Sequence, residues 1–255
     1  MIQPMRTIAI VNQKGGVGKT TTAVNLAASL ALAEKSTLLI DLDPQANATS
    51  GVGVAKQPLE SNIYAALLGE RPLSELLCDT ELAKLKLIPS GPDLYGAEIE
   101  LVGLKNRHGR LKEILQTVNF EFVLIDCPPS LGLLTLNALC AADAVLVPLQ
   151  CEYYALEGLS QLMQTVERVK GSFNPGLMIA GILLTMFDGR NTLSRQVSDD
   201  VRRTFPGQVF NAVIPRNVRL SEAPSHGKPI VLYDISSRGC QSYLDLAREF
   251  LNQAA

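Results

Sequence analysis

The fold is decided by the stretch Gln13-Lys14-Gly15-Gly16-Val17-Gly18-Lys19-Thr20-Thr21. Before it, the apolar run at 7–11 predicts a buried strand; after it, Ala, Leu and Val recur at helical spacing over 20–33. Glycines between a strand and a helix let backbone N–H groups close around phosphate oxygens, and the helix N-terminus adds partial positive charge. In such a loop Lys19 reaches the β- and γ-phosphates, and the Thr20 hydroxyl holds Mg²⁺. The stretch therefore predicts a nucleoside triphosphate site.

Composition narrows the class of protein. The chain has 255 residues, 47% hydrophobic and 19% charged, which predicts a single α/β domain over 1–255. A net charge of −2 means that attraction to nucleic acid or an anionic membrane must come from a local patch. We expect no signal peptide and no membrane-spanning run, and hence a cytoplasmic protein. The five cysteines lack a C-x-x-C pair and the two histidines lie far apart, so neither a disulfide framework nor a zinc site is expected.

Apolar strands alternate with helical segments along the rest of the chain. We expect further strands at 36–41, 85–89, 120–126, 144–149, 178–185 and 209–213. We expect further helices at 63–68, 107–117, 131–141, 156–169, 193–204 and 237–251, and a surface loop over the site at 221–229. Strands that are apolar throughout indicate burial on both faces. This alternation predicts an α/β fold with a doubly wound, mostly parallel sheet flanked by helices, whose ligand lies beyond the carboxyl ends of the strands.

Carboxylates follow two of the expected strands. The run at 122–126 is four apolar residues closing on Asp126, a Walker B pattern that places an acid near Mg²⁺, commonly through water. Asp126 can equally be a simple turn former at a strand end. Asp41 and Asp43 end the second strand, and Asp43 precedes Pro44, which also suits an Asx turn.

The glycine loop departs from the usual G-x-x-x-x-G-K-[ST] pattern, because Gln13 stands where its first glycine would be and Lys14 follows. In this form it resembles the deviant Walker A loop of the ParA/MinD family; 41–45 and 126–130 resemble the family's switch I and switch II. The resemblance implies that Asp43 orients and helps activate the attacking water, with Lys14 and Lys19 as the other catalytic residues. It also implies that Lys14 crosses to the phosphates of a partner subunit, although a loop lysine needs no special role. The implied nucleotide-binding residues of the loop are Lys14, Gly15, Gly16, Val17, Gly18, Lys19, Thr20 and Thr21.

The segment at 214–224 resembles chromosomal partitioning ATPases of the ParA/Soj type. There the Pro-Arg-Asn stretch borders the adenine pocket, which makes Pro215 and Asn217 candidate base contacts, although both residues are also common in ordinary loops. The resemblance implies a DNA-segregation ATPase of weak intrinsic activity that needs ATP and Mg²⁺. Its implied partners are a ParB-type protein that stimulates hydrolysis, a second copy in an ATP-dependent homodimer, and the DNA of the nucleoid.

Charge is uneven along the chain. Residues 186–228 carry seven basic and four acidic side chains, a local excess of three. The candidate contacts to the phosphates of double-stranded DNA are Arg190, Arg195 and Arg219. We expect DNA binding without sequence specificity, because we expect no helix-turn-helix domain before the first strand. An ordinary solvated helix of mixed charge explains the same pattern. Three surplus charges hold DNA weakly, and a dimer doubles them.

Three other functions fit parts of the pattern. A MinD-like membrane-associated regulator requires a basic amphipathic helix at the C-terminus, but 243–253 carry two acids and one arginine, which disfavours stable membrane association. A nitrogenase-reductase-like redox ATPase needs two suitably placed cysteines per subunit, and only Cys127 lies near a candidate site residue. A metabolic ATP-dependent ligase of the same fold is the third alternative.

Overall fold

A computed structural model describes residues 6–254 of the protein. The expectation that the chain has no leader before its first strand falls on residues 1–5, which lie outside the described residues. Within 6–254 the strands are β1 (Arg6–Ile10), β2 (Thr37–Asp41), β3 (Cys78–Asp79), β4 (Leu85–Ile88), β5 (Phe122–Asp126), β6 (Ala144–Gln150) and β7 (Met178–Thr185). They form one sheet in the order β3-β4-β2-β5-β1-β6-β7. Among the strand pairs of the described residues, only β3–β4 is antiparallel. The predicted α/β fold with a mostly parallel sheet is confirmed.

Helices connect the strands and cover both faces of the sheet. They are α1 (Lys19–Leu32), α2 (Asn47–Gly51), α3 (Ile63–Leu68), α4 (Leu94–Glu100), α5 (Arg110–Leu115), α6 (Leu133–Ala141), α7 (Ala155–Ser172), α8 (Thr192–Thr204), α9 (Val218–Glu222), α10 (Ile230–Tyr233) and α11 (Arg238–Ala254). One apolar core lies between the sheet and α1, α2, α9, α10 and α11, and the other between the sheet and α3 to α8.

The strand sequences explain this two-sided burial. Side chains alternate between the faces of a strand, so a strand covered on both sides is apolar at every position. In β1, Ile8 and Ile10 belong to the core under α1, while Ala9 belongs to the opposite core. Strand β1 lies between β5 and β6, so the loop that follows it opens at the middle of the carboxyl edge of the sheet.

The strand expected at 209–213 is wrong. The segment runs beside β7, but only isolated bridges form, at Val209 with Ile182 and at Pro215 with Phe187. Between them, the backbone N–H groups of residues 211 and 212 donate to the carboxylate of Glu249, at 2.8 and 2.9 Å. A side chain of α11 has therefore replaced the strand partner of these groups.

Other expected boundaries also differ. The expected surface loop at 221–229 is largely helical, because α9 continues into a 3₁₀ turn at Ala223–His226. Pro224 lies in the first positions of that turn, where its missing N–H costs no hydrogen bond. The helix expected at 107–117 is limited to Arg110–Leu115, and α4 had not been expected.

Candidate functional site

The loop between β1 and α1 is closed by contacts of its own side chains and of β7. Gly16 and Gly18 have φ angles of 75° and 88°, which lie in the left-handed region that favours glycine. Lys19 is the first residue of α1 and is buried, and its Nζ donates to the backbone carbonyl of Lys14 at 3.0 Å. Thr185 Oγ1 donates to the carbonyl of Val17 at 2.8 Å. Burial lowers the pKa of Lys19, and the carboxylates of this site oppose that shift.

Lys14 lies at the mouth of the loop and has an ionic partner in its own chain. Its side chain is 52% exposed, and its Nζ pairs with Glu152 Oε2. Glu152 follows the end of β6, so it reaches the same edge of the sheet as the loop. Sequence reasoning missed Glu152; its place just after an apolar strand was the available signal.

Asp126 lies beside the start of α1, where strands β1, β2 and β5 run in register. Its Cα partners in the sheet are Ile10 and Asp41. The side chain is fully buried, and neither carboxylate oxygen has a hydrogen-bond partner within residues 6–254. Burial raises the pKa of Asp126 well above its usual value and the Asp41 carboxylate adds to the shift, while the Thr20 side chain and Lys19 oppose it. A buried carboxylate with two unpartnered oxygens near a threonine hydroxyl is a donor set that fits Mg²⁺.

Asp41 and Asp43 differ in role although they lie two residues apart. Asp41 is fully buried, and its Oδ2 accepts from the N–H and the hydroxyl of Thr49, both at 2.7 Å. Burial raises the pKa of Asp41 to about 6, and the hydrogen bonds from Thr49 oppose this shift. Asp43 lines the cleft in front of the loop, and its Oδ1 accepts from Gln45 N–H at 2.9 Å. The Asx turn considered for Asp43 is therefore present in a residue that also borders the cleft.

Two cavities meet at the start of α1. The first, of about 570 Å³, is lined by the loop glycines, Lys19 and Thr20 on one side and by Asp43 on the other. The second, of about 380 Å³, is lined by Pro215, Asn217 and Tyr243, among others. Both cavities are lined by Gly18, Thr21 and Met186. The cleft thus has one compartment bordered by backbone N–H groups and a lysine, and a second, adjoining one.

The candidate base contacts are held by local structure. Asn217 caps α9, because its Oδ1 accepts from Arg219 N–H at 2.9 Å. Pro215 is fixed by its bridge to Phe187 beside β7. The structure therefore brings both residues to the second cavity, more than 190 residues along the chain from the loop.

The three candidate DNA contacts are exposed arginines that each have a polar partner. Arg190 is 92% exposed and bonds Asp188 through Nε and Nη2, at 3.0 and 2.9 Å. Arg219 pairs with Glu222 at 2.9 Å and with Asp234 at 3.3 Å. Arg195, on α8, donates to the hydroxyl of Thr192 at 3.4 Å. The segments that carry Arg190 and Arg219 run side by side where Phe187 bridges Pro215.

Several features bear on the alternative functions. In the described part of the chain the five cysteines are free, and no three His, Cys, Asp or Glu side chains are grouped to hold a metal. Helix α11 buries its apolar face, including Tyr243, Leu246 and Phe250, in the core shared with α1. Across residues 6–254 no helix combines the length and the apolar character needed to cross a membrane.

Together, the parallel sheet, the glycine loop with two lysines and the buried Asp126 define a P-loop nucleoside triphosphatase of the deviant Walker A type. A family model described as an AAA domain matches residues 5–179. The chromosome partitioning protein ParA of Myxococcus xanthus is 60% identical over 250 residues, 97% of this chain and 88% of that protein. The sporulation initiation inhibitor protein Soj of Bacillus subtilis is 56% identical over 246 residues, 96% of this chain and 97% of that protein. The chain belongs to the ParA/Soj family of chromosome partitioning ATPases.

Solved structures show the same fold. Cobyrinic acid a,c-diamide synthase from Mycobacterium smegmatis, crystallised with a bound ATP analog and magnesium, is 37% identical. Its TM-score is 0.86, covering 98% of this chain and 96% of that one. The cell division ATPase MinD of Pyrococcus furiosus has a TM-score of 0.80 at 26% identity, covering 98% and 99% of the two chains. The fold is thus shared by a synthase and by a cell division ATPase.

Proposed function

We propose that this protein is a DNA-segregation ATPase whose ATP-bound homodimer binds DNA without sequence specificity and releases it after hydrolysis. The observation that carries the proposal is the two-compartment cleft, whose first compartment is lined by the glycine loop and whose second is lined by Pro215 and Asn217. We assign the first compartment to the phosphates and the second to the adenosine. Relatives at 60% and 56% identity, named as a partitioning protein and as Soj, support this role. We propose that the protein is cytoplasmic and associates with the nucleoid.

In the proposed reaction each compartment has a separate task. The loop N–H groups and Lys19 hold the phosphates, and the Nδ2 amide of Asn217 donates to an acceptor of the base while its Oδ1 caps α9. The Thr20 hydroxyl and, through water, Asp126 would hold Mg²⁺, which would neutralise charge on the phosphates. Asp43 orients the water that attacks the γ-phosphate. Positioning and charge stabilisation supply most of the rate in phosphoryl transfer, so this small set of groups is sufficient.

Lys14 links hydrolysis to assembly. In the single chain it pairs with Glu152, and both side chains are about half exposed, so the pair contributes little stability. We propose that Lys14 leaves Glu152 when a second copy presents its bound triphosphate, which offers a denser negative charge. Loss of the γ-phosphate then removes the attraction that holds the two copies together.

DNA binding follows from assembly by charge addition. The local excess in residues 186–228 is three positive charges, and strong phosphate binding takes about six to ten contacts. A dimer brings two such patches together, so ATP-dependent pairing raises DNA affinity without a change in either patch. A ParB-type protein that stimulates hydrolysis would thereby release the DNA.

The proposal is tested by a DNA shift assay with ATP, with ADP and without nucleotide. We expect wild type to shift DNA only with ATP, Lys14→Ala to lose the shift, and Asp43→Ala to keep a DNA-bound dimer that does not turn over. Lys170→Ala is the matched control, because Lys170 is another partly exposed lysine with an intrachain carboxylate partner, Glu167. A Lys14→Ala protein that shifts DNA as well as the Lys170→Ala protein would overturn the dimer mechanism.

A metabolic ATP-dependent ligase is the second candidate, because a synthase from Mycobacterium smegmatis is 37% identical over nearly the whole chain. The two functions differ in what accelerates ATP turnover. A segregation ATPase is accelerated by DNA together with a ParB-type protein, whereas a ligase is accelerated by its acid substrate and an amine donor. A rate of ATP turnover that does not change when DNA and the ParB-type protein are added would favour the ligase.

A further inference from the structure

Asp43 is held by a network of hydrogen bonds that includes two buried hydroxyl groups. None of the roles proposed above in nucleotide binding or hydrolysis involves these hydroxyls. Its backbone N–H donates to Asp41 Oδ1 at 3.1 Å, and its backbone carbonyl accepts from Ser90 Oγ at 2.7 Å. The backbone N–H of Ser90 in turn donates to Thr49 Oγ1 at 3.0 Å, and Thr49 is bonded to Asp41. Asp41, Thr49 and Ser90 are each fully buried. The network forms a closed ring from Asp43 through Asp41, Thr49 and Ser90 back to Asp43.

The ring joins segments that are distant in sequence. Ser90 follows β4, and β4 pairs in parallel register with β2, so Ser90 reaches the carboxyl edge of the sheet beside Asp43. Between Asp43 and Thr49 the backbone passes through Ala46, which is buried and has a φ of 54°. A left-handed φ at a residue with a Cβ is costly and persists only where its surroundings fix it. The ring supplies such surroundings on both sides of Ala46.

From this geometry we propose that Ser90, supported by Thr49, is a positioning residue for Asp43. The inference rests on the proposed role of Asp43 in orienting the attacking water. Both backbone polar groups of Asp43 are anchored by the ring, so the carboxylate projects from a fixed backbone. Without the Ser90 hydroxyl, the bond that the carbonyl of Asp43 keeps within residues 6–254 is the one from Ala46 N–H, at 2.9 Å, in the same turn. The turn can then shift as a unit relative to the glycine loop.

The effect belongs to turnover and not to nucleotide binding. Displacement of a catalytic group by about 1 Å can cost up to a hundredfold in rate, and a partly anchored turn moves less than that. We therefore expect Ser90→Ala to lower kcat for ATP about tenfold, with KM for ATP unchanged. Ser29→Ala is the matched control, because Ser29 is also buried and its Oγ donates to a backbone carbonyl at 2.7 Å, that of Asn25 in α1. Ser29→Ala is expected to keep wild-type kcat.

Turnover is measured per molecule that binds a non-hydrolysable ATP analogue, so a partly unfolded preparation does not mimic the effect. A second pair of variants acts at the other end of the ring: Thr49→Val removes the hydroxyl and should lower kcat, whereas Thr49→Ser keeps it and should restore turnover. The proposal is overturned if Ser90→Ala matches Ser29→Ala, or if Thr49→Val and Thr49→Ser have the same kcat.

Asp43→Ala separates this inference from the function on which it rests. If Ser90 acts through Asp43, the double variant Asp43→Ala with Ser90→Ala loses no more turnover than Asp43→Ala alone. A further loss in the double variant would refute the positioning role. If Asp43→Ala itself keeps wild-type turnover, the proposed role of Asp43 is wrong, whatever the Ser90 variants do.

Discussion

Replacing Gly16 by alanine tests the backbone conformation on which the phosphate loop depends. Gly16 has a φ of 75°, and a Cβ built on it would meet no atom within 4 Å, so the substitution creates no clash. The whole cost is conformational, roughly 1–2 kcal/mol for a side chain held in the left-handed region. For a chain of 255 residues this corresponds to a drop in Tm of about 2–8 °C.

Gly15 is the matched control at the neighbouring position. A Cβ there also meets nothing within 4 Å, and its φ lies outside the left-handed region. Gly15→Ala is therefore expected to change the free energy of unfolding by less than about 0.5 kcal/mol. Thermal unfolding of both variants without nucleotide, followed by circular dichroism, makes the comparison. Equal Tm values for the two variants would refute the argument, since the φ angle is the difference on which it depends.

Three further predictions concern charges. Glu121 accepts from Ser36 N–H and from Lys35, which lowers the pKa of its carboxyl; Glu121→Gln should cost about 1 kcal/mol of unfolding free energy near neutral pH. Because the pKa of Glu121 is lower in the folded protein than in the unfolded chain, its carboxylate stabilises the fold at pH values above the unfolded pKa. The loss caused by Glu121→Gln should therefore fade as the pH falls through the folded pKa. Urea titrations that find the same loss at every pH would contradict this. Asp188→Asn removes the ionic partner of Arg190, so it should strengthen ATP-dependent DNA binding up to about fivefold and make binding more sensitive to salt. If fluorescence anisotropy finds no gain in affinity, Arg190 does not contact DNA. Asp126→Asn should raise the free energy of unfolding by about 1 kcal/mol at neutral pH, because burial disfavours the Asp126 carboxylate and raises its pKa. The same substitution should end Mg²⁺-dependent turnover. A variant that is less stable and still active would contradict the place of Asp126 in the site.

Much of the fold could be predicted because it depends on local signals. The strands at 178–185 and 85–88 and the helix at 63–68 follow directly from apolar runs and helical spacing, and the structure has them within a residue of the expected bounds. The strand expected at 209–213 failed because the backbone N–H groups of residues 211 and 212 are taken by Glu249, some 38 residues further along the chain. A competing side chain so far along the sequence does not alter the local apolar pattern from which the strand was predicted.

The site shows the same division. The loop glycines, Lys19 and Asp126 were predictable, because each lies at the end of a strand whose place in the sheet follows from the pattern. Glu152 and Ser90 also follow strands, but their partners were not predictable, since those contacts depend on which strands are neighbours in the sheet. The order β4-β2-β5-β1-β6 sets Ser90 beside Asp43 and Glu152 beside Lys14, and that order is a property of the whole chain.

The C-terminal part of the chain is fastened to α1, the helix that follows the glycine loop. Thr22 shares a buried hydrogen bond with Tyr243 at 3.2 Å, and Asn25 accepts from the backbone of Ile230 at 2.7 Å. A protease that trims α11 would thus remove Tyr243, which both lines the base compartment and holds α1 through Thr22, in one event. Truncated fragments of this chain should therefore fail to retain nucleotide even when every residue of the loop is intact.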